Sequence, residues 1–467
     1  MSEINSPGAG TDGAGHEGLE NAGYDQELQR ALKFRDLLVY GMVFMVPIAP
    51  MGIYGFVSKE GSGMVPLVYL VGIVAMTFTA LSYRQMSRRF PFAGSVYSYV
   101  QRGFNPHVGF IAGWMILIDY LLVPALLYAF SATWLHALAP GIPLFVWVLL
   151  FISIITVVNV RGITVAAKAN FTLLAIELVA LVLFLFFAVK FVFVDGGGAG
   201  GFSLAPLYQP QHMGLGFIAT ATSIAVLSFL GFDAISTLSE EAERPERTVG
   251  NATVAALVLL GVIFMIETYA AALVHPNYAN LDPALGFFDL AREAGGPFLY
   301  YTLIIINVIA SGIADALVAQ LAVSRILYSI SRDRLLPFSG FLSRIHPTYR
   351  TPVNATLLVA VLSIVIALGL SLETIAKFVN FGALTSFMLL NLTVVIYFFV
   401  KQGRRGFKGY FTYLILPLLG LAVIAYVWSG FDRLTFIFGF AWMAVGIALG
   451  AVKSRGYKEV PTALQEM

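Results

Sequence analysis

Long apolar segments recur along almost the whole chain, and each is long enough to cross a lipid bilayer. A membrane-spanning helix needs ~20 predominantly apolar residues, and from Leu37 onward such segments follow one another with short polar connections. Only 12% of the 467 residues are charged, whereas 58% are hydrophobic. Because a soluble domain of this size covers its outside with charged residues, usually about 25% of the chain, a soluble enzyme is excluded. The pattern predicts an all-α polytopic membrane protein.

The apolar segments predict twelve transmembrane helices, numbered here as spans one to twelve. The basic residues support this count, because most of the 28 Lys and Arg residues fall in the connections on one side, as the positive-inside rule requires. Both termini are therefore predicted to be cytoplasmic. The predicted spans lie near residues 37–57, 64–83, 108–138, 144–160, 166–194, 214–238, 251–274, 298–330, 353–370, 374–400, 411–430 and 434–452.

Two short tails flank the predicted transporter domain at residues 30–452. Residues 1–29 contain six acidic side chains and no apolar core of a signal peptide, which predicts a disordered cytoplasmic tail. Residues 453–467 form a second predicted cytoplasmic tail.

Two spans contain helix-breaking residues at mid-membrane depth. Span one carries Pro47, Pro50 and Gly52, and span six carries Gly231 beside Asp233. Broken helices at corresponding places in two halves point to the binding site of a secondary transporter. Because the two spans are five apart, residues 37–194 and 214–400 are predicted to be inverted five-helix repeats, with spans eleven and twelve (411–452) added. A plain proline kink is the alternative.

Five acidic residues lie inside predicted spans. Each costs roughly 2.5–3.5 kcal/mol to insert, so each is expected to face the protein interior. No Lys or Arg lies at comparable depth, so the carboxyl groups are expected to meet a proton or a positively charged substrate. Glu267 is better explained by a hydrogen bond to a neighbouring helix, and Asp315 equally well by one to Ser311. The five acids are Asp119, Glu177, Asp233, Glu267 and Asp315.

The sequence contains no motif of nucleotide hydrolysis or covalent catalysis. GxxxxGK[ST], HExxH and GxSxG are absent, and there is no cysteine. We therefore predict no catalytic residue, no metal site and no cofactor, and the net charge of +2 does not favour nucleic-acid binding. Transport is expected to be driven by an ion gradient or by exchange.

Several motifs resemble the amino acid–polyamine–organocation superfamily, and within it the bacterial amino acid permeases and putrescine importers. The resemblance runs from Phe34 to Tyr457 and implies a five-plus-five inverted repeat with substrate between helices one, three, six, eight and ten. Its motifs are FPFAGSVYSYVQRGFNPHVGF (90–110), WMILIDYLL (114–122), NVRG (159–162), FLGFDAISTLSEE (229–241), SRILYSISRDRLLP (324–337) and HPTYRTP (346–352).

The resemblance implies a central pocket formed by a break of span one at Ile48 to Ile53 and a break of span six at Phe229 to Asp233, together with acids of spans three and eight. Asp233 would contact a substrate amine, and Phe232 would stack on the substrate or simply pack. The acids implied in proton coupling are Asp119, Glu177 and Asp233. The implied substrate-binding residues are Ile48, Ala49, Met51, Gly52, Ile53, Asp119, Tyr120, Phe229, Gly231, Phe232, Asp233 and Asp315.

The chain departs from the superfamily pattern at two places. Glu177 lies near a position where proton-coupled relatives have a lysine. The stretch PIAPMGIYG (47–55) replaces a GSGI-like segment whose free amides hold a substrate carboxylate, and its two prolines remove two donors. The second departure favours an amine that lacks a carboxylate.

Together these observations predict a proton-coupled importer of a putrescine-like cationic amine in a bacterial inner membrane, working by alternating access. Sodium is the less favoured coupling ion, and monomer and homodimer stay open. The alternative is a broad-specificity amino acid permease or exchanger that uses the amides of Met51 to Ile53. A nutrient sensor on a transporter scaffold is disfavoured by short, featureless termini, and a channel by acids isolated on separate helices.

Overall fold

The structure, a computed structural model, describes residues 31–91, 95–162, 167–212, 214–332 and 338–456. The predicted acidic tail at residues 1–29 and the end of the C-terminal tail lie outside the described residues. Within the described ranges the regular structure is helical, apart from one isolated bridge between Leu32 and Ala242. The prediction of an all-α protein is confirmed.

The longer α-helices are numbered here in chain order. They are α1 (Phe34–Met45), α2 (Ala49–Glu60), α3 (Val65–Arg89), α4 (Val96–Gly103), α5 (Pro106–Leu138), α6 (Leu144–Val160), α7 (Ala167–Val189), α8 (Leu215–Ala225), α9 (Pro245–Val274), α10 (Gly286–Asn307), α11 (Ala316–Arg332), α12 (Val353–Gly369), α13 (Leu372–Val394), α14 (Leu416–Trp428) and α15 (Arg433–Lys453).

Shorter segments connect or extend these helices. Single short α-helical turns lie at Ser339–Leu342 and Phe407–Gly409. The 3-10 helices are Pro210–His212, Val226–Phe229, Phe232–Glu241 and Tyr278–Asn280, and the π-helical segments are Lys190–Val194, Val308–Asp315, Val395–Lys401 and Tyr410–Ile415.

Nine helices of the described residues are long and apolar enough to cross a membrane. The pair α1 and α2, bent by 48° at a short break, makes a tenth if it is one span. Two more apolar helices, α6 and α12, have 17 residues each. The chain is thus a multi-pass membrane protein, and the count of twelve stays a prediction.

Helix one, which corresponds to predicted span one and consists of α1 and α2, is broken between Met45 and Ala49. Val46 has a left-handed φ of 54°, and α2 begins at Ala49 with Pro50 in its first turn. The resemblance implied a break at Ile48 to Ile53; only Ile48 lies in the observed break, and Ala49 to Ile53 belong to α2. Proline is well tolerated in the first turn of a helix, where its missing amide has no partner to lose, so Pro50 starts α2 instead of interrupting it.

Helix six, which corresponds to predicted span six and not to α6, is broken at Leu230 and Gly231, within the predicted stretch 229–233. α8 tightens into the 3-10 turn Val226–Phe229, and a second 3-10 helix begins at Phe232. Gly231 has a φ of 103°, and a Cβ atom at this position would lie 2.8 Å from Cδ1 of Phe44. Only glycine adopts this conformation at low cost while α1 packs so closely. The first turn after the break carries Asp233.

The helices around the two breaks enclose the centre of the molecule. α3 packs extensively along α9, and α5 packs along α13. Helix eight, which corresponds to predicted span eight and consists of α10 and α11, changes to a π-helical segment at Val308–Asp315, where α10 meets α11. Such π-segments are rare and frequently occur at functional sites. This arrangement places both breaks, α5, α7 and the π-segment around one central space.

Candidate functional site

A cavity of about 210 Å³ lies between the two helix breaks. Its wall is formed by α1 and the start of α2, by α5, by α7, by the helix-six break and by the π-segment with α11. Sites for drug-sized ligands measure about 300–1,000 Å³, so this cavity is suited to a smaller molecule.

The charged residues of the cavity are all acidic. Four carboxylic acids line it, and no Lys, Arg or His is among its lining residues. None of the four acids forms an ion pair with another residue in the described parts of the chain. A cavity of this charge attracts cations and repels anions. The four acids are Asp119, Glu177, Asp233 and Asp315.

Asp119 and Asp233 form one pair of carboxyl groups, contributed by α5 and by the 3-10 helix after the break. They lie within electrostatic range of each other and of the Tyr120 hydroxyl. Tyr40 of α1 lies within range of Asp233 and also lines the cavity. Asp233 sits in the first turn of its helix, where the helix dipole favours a negative charge. The pair offers a cation two carboxyl groups and two hydroxyls.

Glu177 and Asp315 form a second pair, contributed by α7 and by the end of the π-segment. Their carboxyl groups also lie within electrostatic range of each other. Glu177 is only 4% exposed, and its Oε2 atom has no hydrogen-bond partner among the described residues. No hydrogen bond joins Asp315 to Ser311 within the described part of helix eight, although both residues line the cavity. This pair therefore has unused acceptors facing the cavity.

Nine of the residues singled out from the sequence lie together in the cavity wall. They are Ala49, Gly52, Ile53, Asp119, Tyr120, Glu177, Gly231, Asp233 and Asp315.

Four other predicted binding residues lie outside the lining. Ile48 is fully buried, and the Met51 sulfur accepts a hydrogen bond from Asn307 Nδ2 at 3.4 Å. Phe229 packs against Tyr69 and Phe264, and Phe232 packs edge-on against Tyr83 and against Phe387. In this conformation Phe232 has the packing contacts of the simpler alternative, and its side chain does not reach the cavity.

Glu267 is completely buried in α9 and does not line the cavity. Neither of its carboxyl oxygens has a hydrogen-bond partner in the described part of the protein. The expected hydrogen bond to a neighbouring helix is therefore not found. Tyr69 lies within electrostatic range of Glu267, and its hydroxyl is 2.8 Å from the Ser228 hydroxyl at the helix-six break.

Sequence reasoning missed the aromatic part of the lining. Trp134 and Phe130 stack on each other near the C-terminal end of α5, with ring centroids 5.5 Å apart. A signal was available, because one face of α5 can be followed from Asp119 at helical spacing. The α5 residues on this face that line the cavity are Asp119, Val123, Leu126, Leu127, Phe130 and Trp134.

The cavity is closed towards the connection between α9 and α10. Trp134 Nε1 donates a hydrogen bond to the Ala284 carbonyl oxygen at 3.3 Å. α2 reaches the same connection at Gly55, where a Cβ atom would meet the carbonyl oxygens of Asp282 and Pro283. These contacts lie on the side that the basic residues assign to the outside.

Contacts at the opposite side join the start of α1 to the end of helix six. The amides of Ala31 and Leu32 donate to the Glu241 carbonyl oxygen at 2.9 Å, and the Glu243 amide donates to the Leu32 carbonyl oxygen at 3.0 Å. Lys33 and Glu243 form an exposed ion pair at 3.9 Å. The two broken helices are thus linked at one end, while the connection near Ala284 covers the other.

The amides at the start of α2 are largely engaged. Ala49 donates to the Val46 carbonyl oxygen at 2.9 Å and Met51 to that of Ile48 at 3.0 Å, while Pro47 and Pro50 have no amide hydrogen. The helix start therefore has few free donors with which to hold a ligand carboxylate.

Comparison with known proteins adds a family to this geometry. The family model described as "Amino acid permease" matches residues 37–459. The low-affinity putrescine importer PlaP of Escherichia coli is 32% identical over 438 residues, covering 92% of this chain and 95% of the relative. The branched-chain amino acid permease BcaP of Lactococcus lactis is 26% identical, covering 91% and 94%. Cationic amino acid transporter 6 of Arabidopsis thaliana is 23% identical, covering 86% and 72%.

Proposed function

The chain belongs to the amino acid permease family, whose members are transporters and not enzymes, and from this premise we propose that it imports a small cationic amine. Putrescine is the favoured substrate. Asp233 and Asp119 bind an ammonium group, and the two broken helices move relative to the other helices to expose the cavity to each side in turn.

The all-acidic lining of the central cavity is the observation that carries this proposal. Four carboxylic acids and no basic side chain face a space of about 210 Å³. A zwitterionic amino acid needs donors for its carboxylate as well as acceptors for its amine. The engaged amides of Ala49 and Met51 and the prolines at positions 47 and 50 leave the start of α2 poor in such donors. The cavity therefore suits a ligand that is cationic only.

The division of the acids into two pairs supports a diamine. Asp119 and Asp233 would hold one ammonium group, and Glu177 and Asp315 the other. The methylene chain between them would lie against apolar lining such as Val123, Leu127 and Leu230. The putrescine importer among the relatives is consistent with this substrate.

Proton coupling follows from the same carboxyl groups. A diamine carries two positive charges, whereas four acids and no basic residue among those described line the cavity, so the acids left uncompensated in this low-dielectric space take up protons while the substrate is bound. A proton on Asp119, Glu177 or Asp233 is then carried inward together with the amine, which links the two fluxes. Sodium is the less favoured coupling ion.

Uptake into proteoliposomes tests the proposal. Purified protein should accumulate labelled putrescine under an inward proton gradient, and a protonophore should abolish accumulation. A sodium gradient alone should have no effect. Uptake no greater than that of protein-free vesicles would refute the import of putrescine, and protonophore-insensitive accumulation would refute the coupling ion.

A broad amino acid permease is the second candidate, because Gly52 and Ile53 at the start of α2 line the cavity. Competition separates the two functions. Unlabelled diamines should displace labelled putrescine, whereas alanine and glutamate should not. The reverse pattern would select the permease. A bacterial inner-membrane location with both termini cytoplasmic, as monomer or homodimer, completes the proposal.

A further inference from the structure

A second cavity lies apart from the substrate site, at the end of α3 that carries the basic residues. It measures about 350 Å³ and is formed between α3 and the segment leading into α14. We propose that it binds the phosphate of an anionic lipid headgroup. The lining residues that contribute charge or polarity are Ser82, Arg84, Gln85, Arg88, Lys408 and Thr412.

Three cations face this cavity without a compensating acid. Arg84 and Arg88 are one turn apart on the same face of α3, and Lys408 faces them from the other wall. No Asp or Glu is among the lining residues, and none of the three cations forms an ion pair within the described parts of the chain. Like charges held close together repel unless an anion lies between them.

Arg84 gives the strongest indication that the cavity binds a ligand. Its Nε atom is buried and has no hydrogen-bond partner among the described residues. A buried donor that is left unpaired is costly, and the planar guanidinium matches the spacing of phosphate oxygens. A phosphate group in the cavity would accept the Nε hydrogen and offset the charges of Arg88 and Lys408.

The walls of the cavity indicate a lipid as the source of the phosphate. Leu81, Phe411, Leu416 and Pro417 give the cavity an apolar side next to its cations. The apolar span Phe407–Trp428, which ends with α14, is only 22% buried within the protein, and acyl chains would lie against its exposed surface. Basic pockets between transmembrane helices on the cytoplasmic side are suited to anionic headgroups. This side is the one that the positive-inside pattern assigns to the cytoplasm.

One wall of the cavity is held in place by neighbouring contacts. The Tyr413 hydroxyl accepts a hydrogen bond from Arg404 Nη1 at 3.3 Å, and the Tyr413 ring stacks on Phe398 with centroids 4.6 Å apart. Arg404 adds a fourth positive charge next to the cavity. Because none of these residues lines the central cavity, the lipid site does not depend on which substrate is transported.

Thermal unfolding of the purified full-length protein in neutral detergent tests the site. Phosphatidylglycerol should raise the unfolding temperature, whereas phosphatidylcholine and inorganic phosphate at equal concentration should not. The double variant R84Q/R88Q should lose most of this shift. The control R161Q/R247Q removes the same charge from exposed positions at the same end of the bundle and should keep it.

A second variant tests the site independently of whether R84Q/R88Q folds. Lys408→Gln changes an exposed side chain and should weaken phosphatidylglycerol binding, measured by native mass spectrometry, by about threefold or more. The proposal is overturned if R84Q/R88Q and Lys408→Gln bind phosphatidylglycerol as the wild type does, or if phosphatidylcholine stabilises equally. An equal shift with inorganic phosphate would overturn the lipid assignment.

Discussion

Asp233 and Glu267 are both buried acids on neighbouring helices, yet their surroundings differ. Asp233 is 5% exposed and Glu267 is 0% exposed. Asp233 faces the cavity beside Asp119, Tyr40 and Tyr120, whereas Glu267 lies near Tyr69 and does not line this cavity. The comparison shows that burial of an acid in a membrane protein does not by itself identify a substrate site. A substrate site is identified by acids that line the same cavity.

The difference arises from one hydrogen-bonded pair. Tyr69 and Ser228 join α3 to the helix-six break at 2.8 Å, and only Ser228 reaches the cavity. The rings of Phe229 and Phe264 both pack against Tyr69, with their own centroids 5.5 Å apart. A ligand in the cavity can therefore contact Asp233 but not Glu267, and four substitutions test this distinction.

Asp233→Asn should have the largest effect. The substitution removes the negative charge from the helix-six break and keeps the shape of the side chain. A hydrogen bond to a charged group contributes about 1.5–3 kcal/mol, so putrescine affinity should fall by roughly 10–100-fold. Isothermal titration calorimetry on the purified protein measures it. Near-native affinity in a well-folded Asp233→Asn protein would show that the helix-six acid does not bind the amine.

Asp315→Asn should have a smaller and more selective effect. If the second pair of acids holds the second ammonium group, putrescine affinity should fall about tenfold. This corresponds to the lower end of the 1.5–3 kcal/mol range, about 1.5 kcal/mol, because Asp315 is partly exposed. Affinity for a monoamine of equal chain length should change little, because it occupies only the first pair. Competition binding with both ligands makes the comparison. Equal losses for both ligands would contradict the assignment of the two pairs to two ammonium groups.

Gly231→Ala should disturb the position of Asp233 and leave Glu267 in place. Alanine at a φ of 103° is strained, and its Cβ would meet Phe44. The free energy of unfolding should fall by about 1–3 kcal/mol, seen as a lower unfolding temperature together with slower uptake. Gly216→Ala is the matched control, because a Cβ there meets no atom within 4 Å. Equal stability of the two variants would contradict the strain at the break.

Glu267→Gln should have the smallest effect on binding. An amide replaces a carboxyl group that has no contact with the cavity, so putrescine affinity should stay within about threefold of the wild type by an energy below ~1 kcal/mol. It also serves as the matched control for Asp233→Asn, since both remove one buried acid. A loss as large as that of Asp233→Asn would mean that α9 contributes to the site through Tyr69 and Ser228.

Much of the fold could be read from local features of the sequence. The long apolar helices follow from the length of the apolar segments, and the helix-six break follows from Gly231 because a left-handed residue interrupts the backbone hydrogen bonds of a helix. The helix-one break was placed a few residues late, since Pro50 was taken to interrupt a helix that it starts. Local chemistry predicts that a break exists better than it predicts which residue begins the next helix.

Only part of the candidate site could be predicted from the sequence. The acids stand out because an uncompensated charge in a membrane is costly. The direction in which each side chain faces is less accessible, because it depends on how the helices rotate against one another. Thus Phe232 packs against Tyr83 and Phe387, while Trp134, which the sequence did not single out, covers the cavity.

The sequence by itself determined the membrane class, the apolar character of the long helices, the two interrupted helices and the excess of acids within them, because these depend on the cost of placing each residue in hydrocarbon. Only the tertiary structure decided that Asp119 and Asp233 form one pair, that Glu177 and Asp315 form another, and that Glu267 belongs to neither. The physical reason is that insertion costs are local, whereas a shared cavity arises from contacts between helices far apart in the chain.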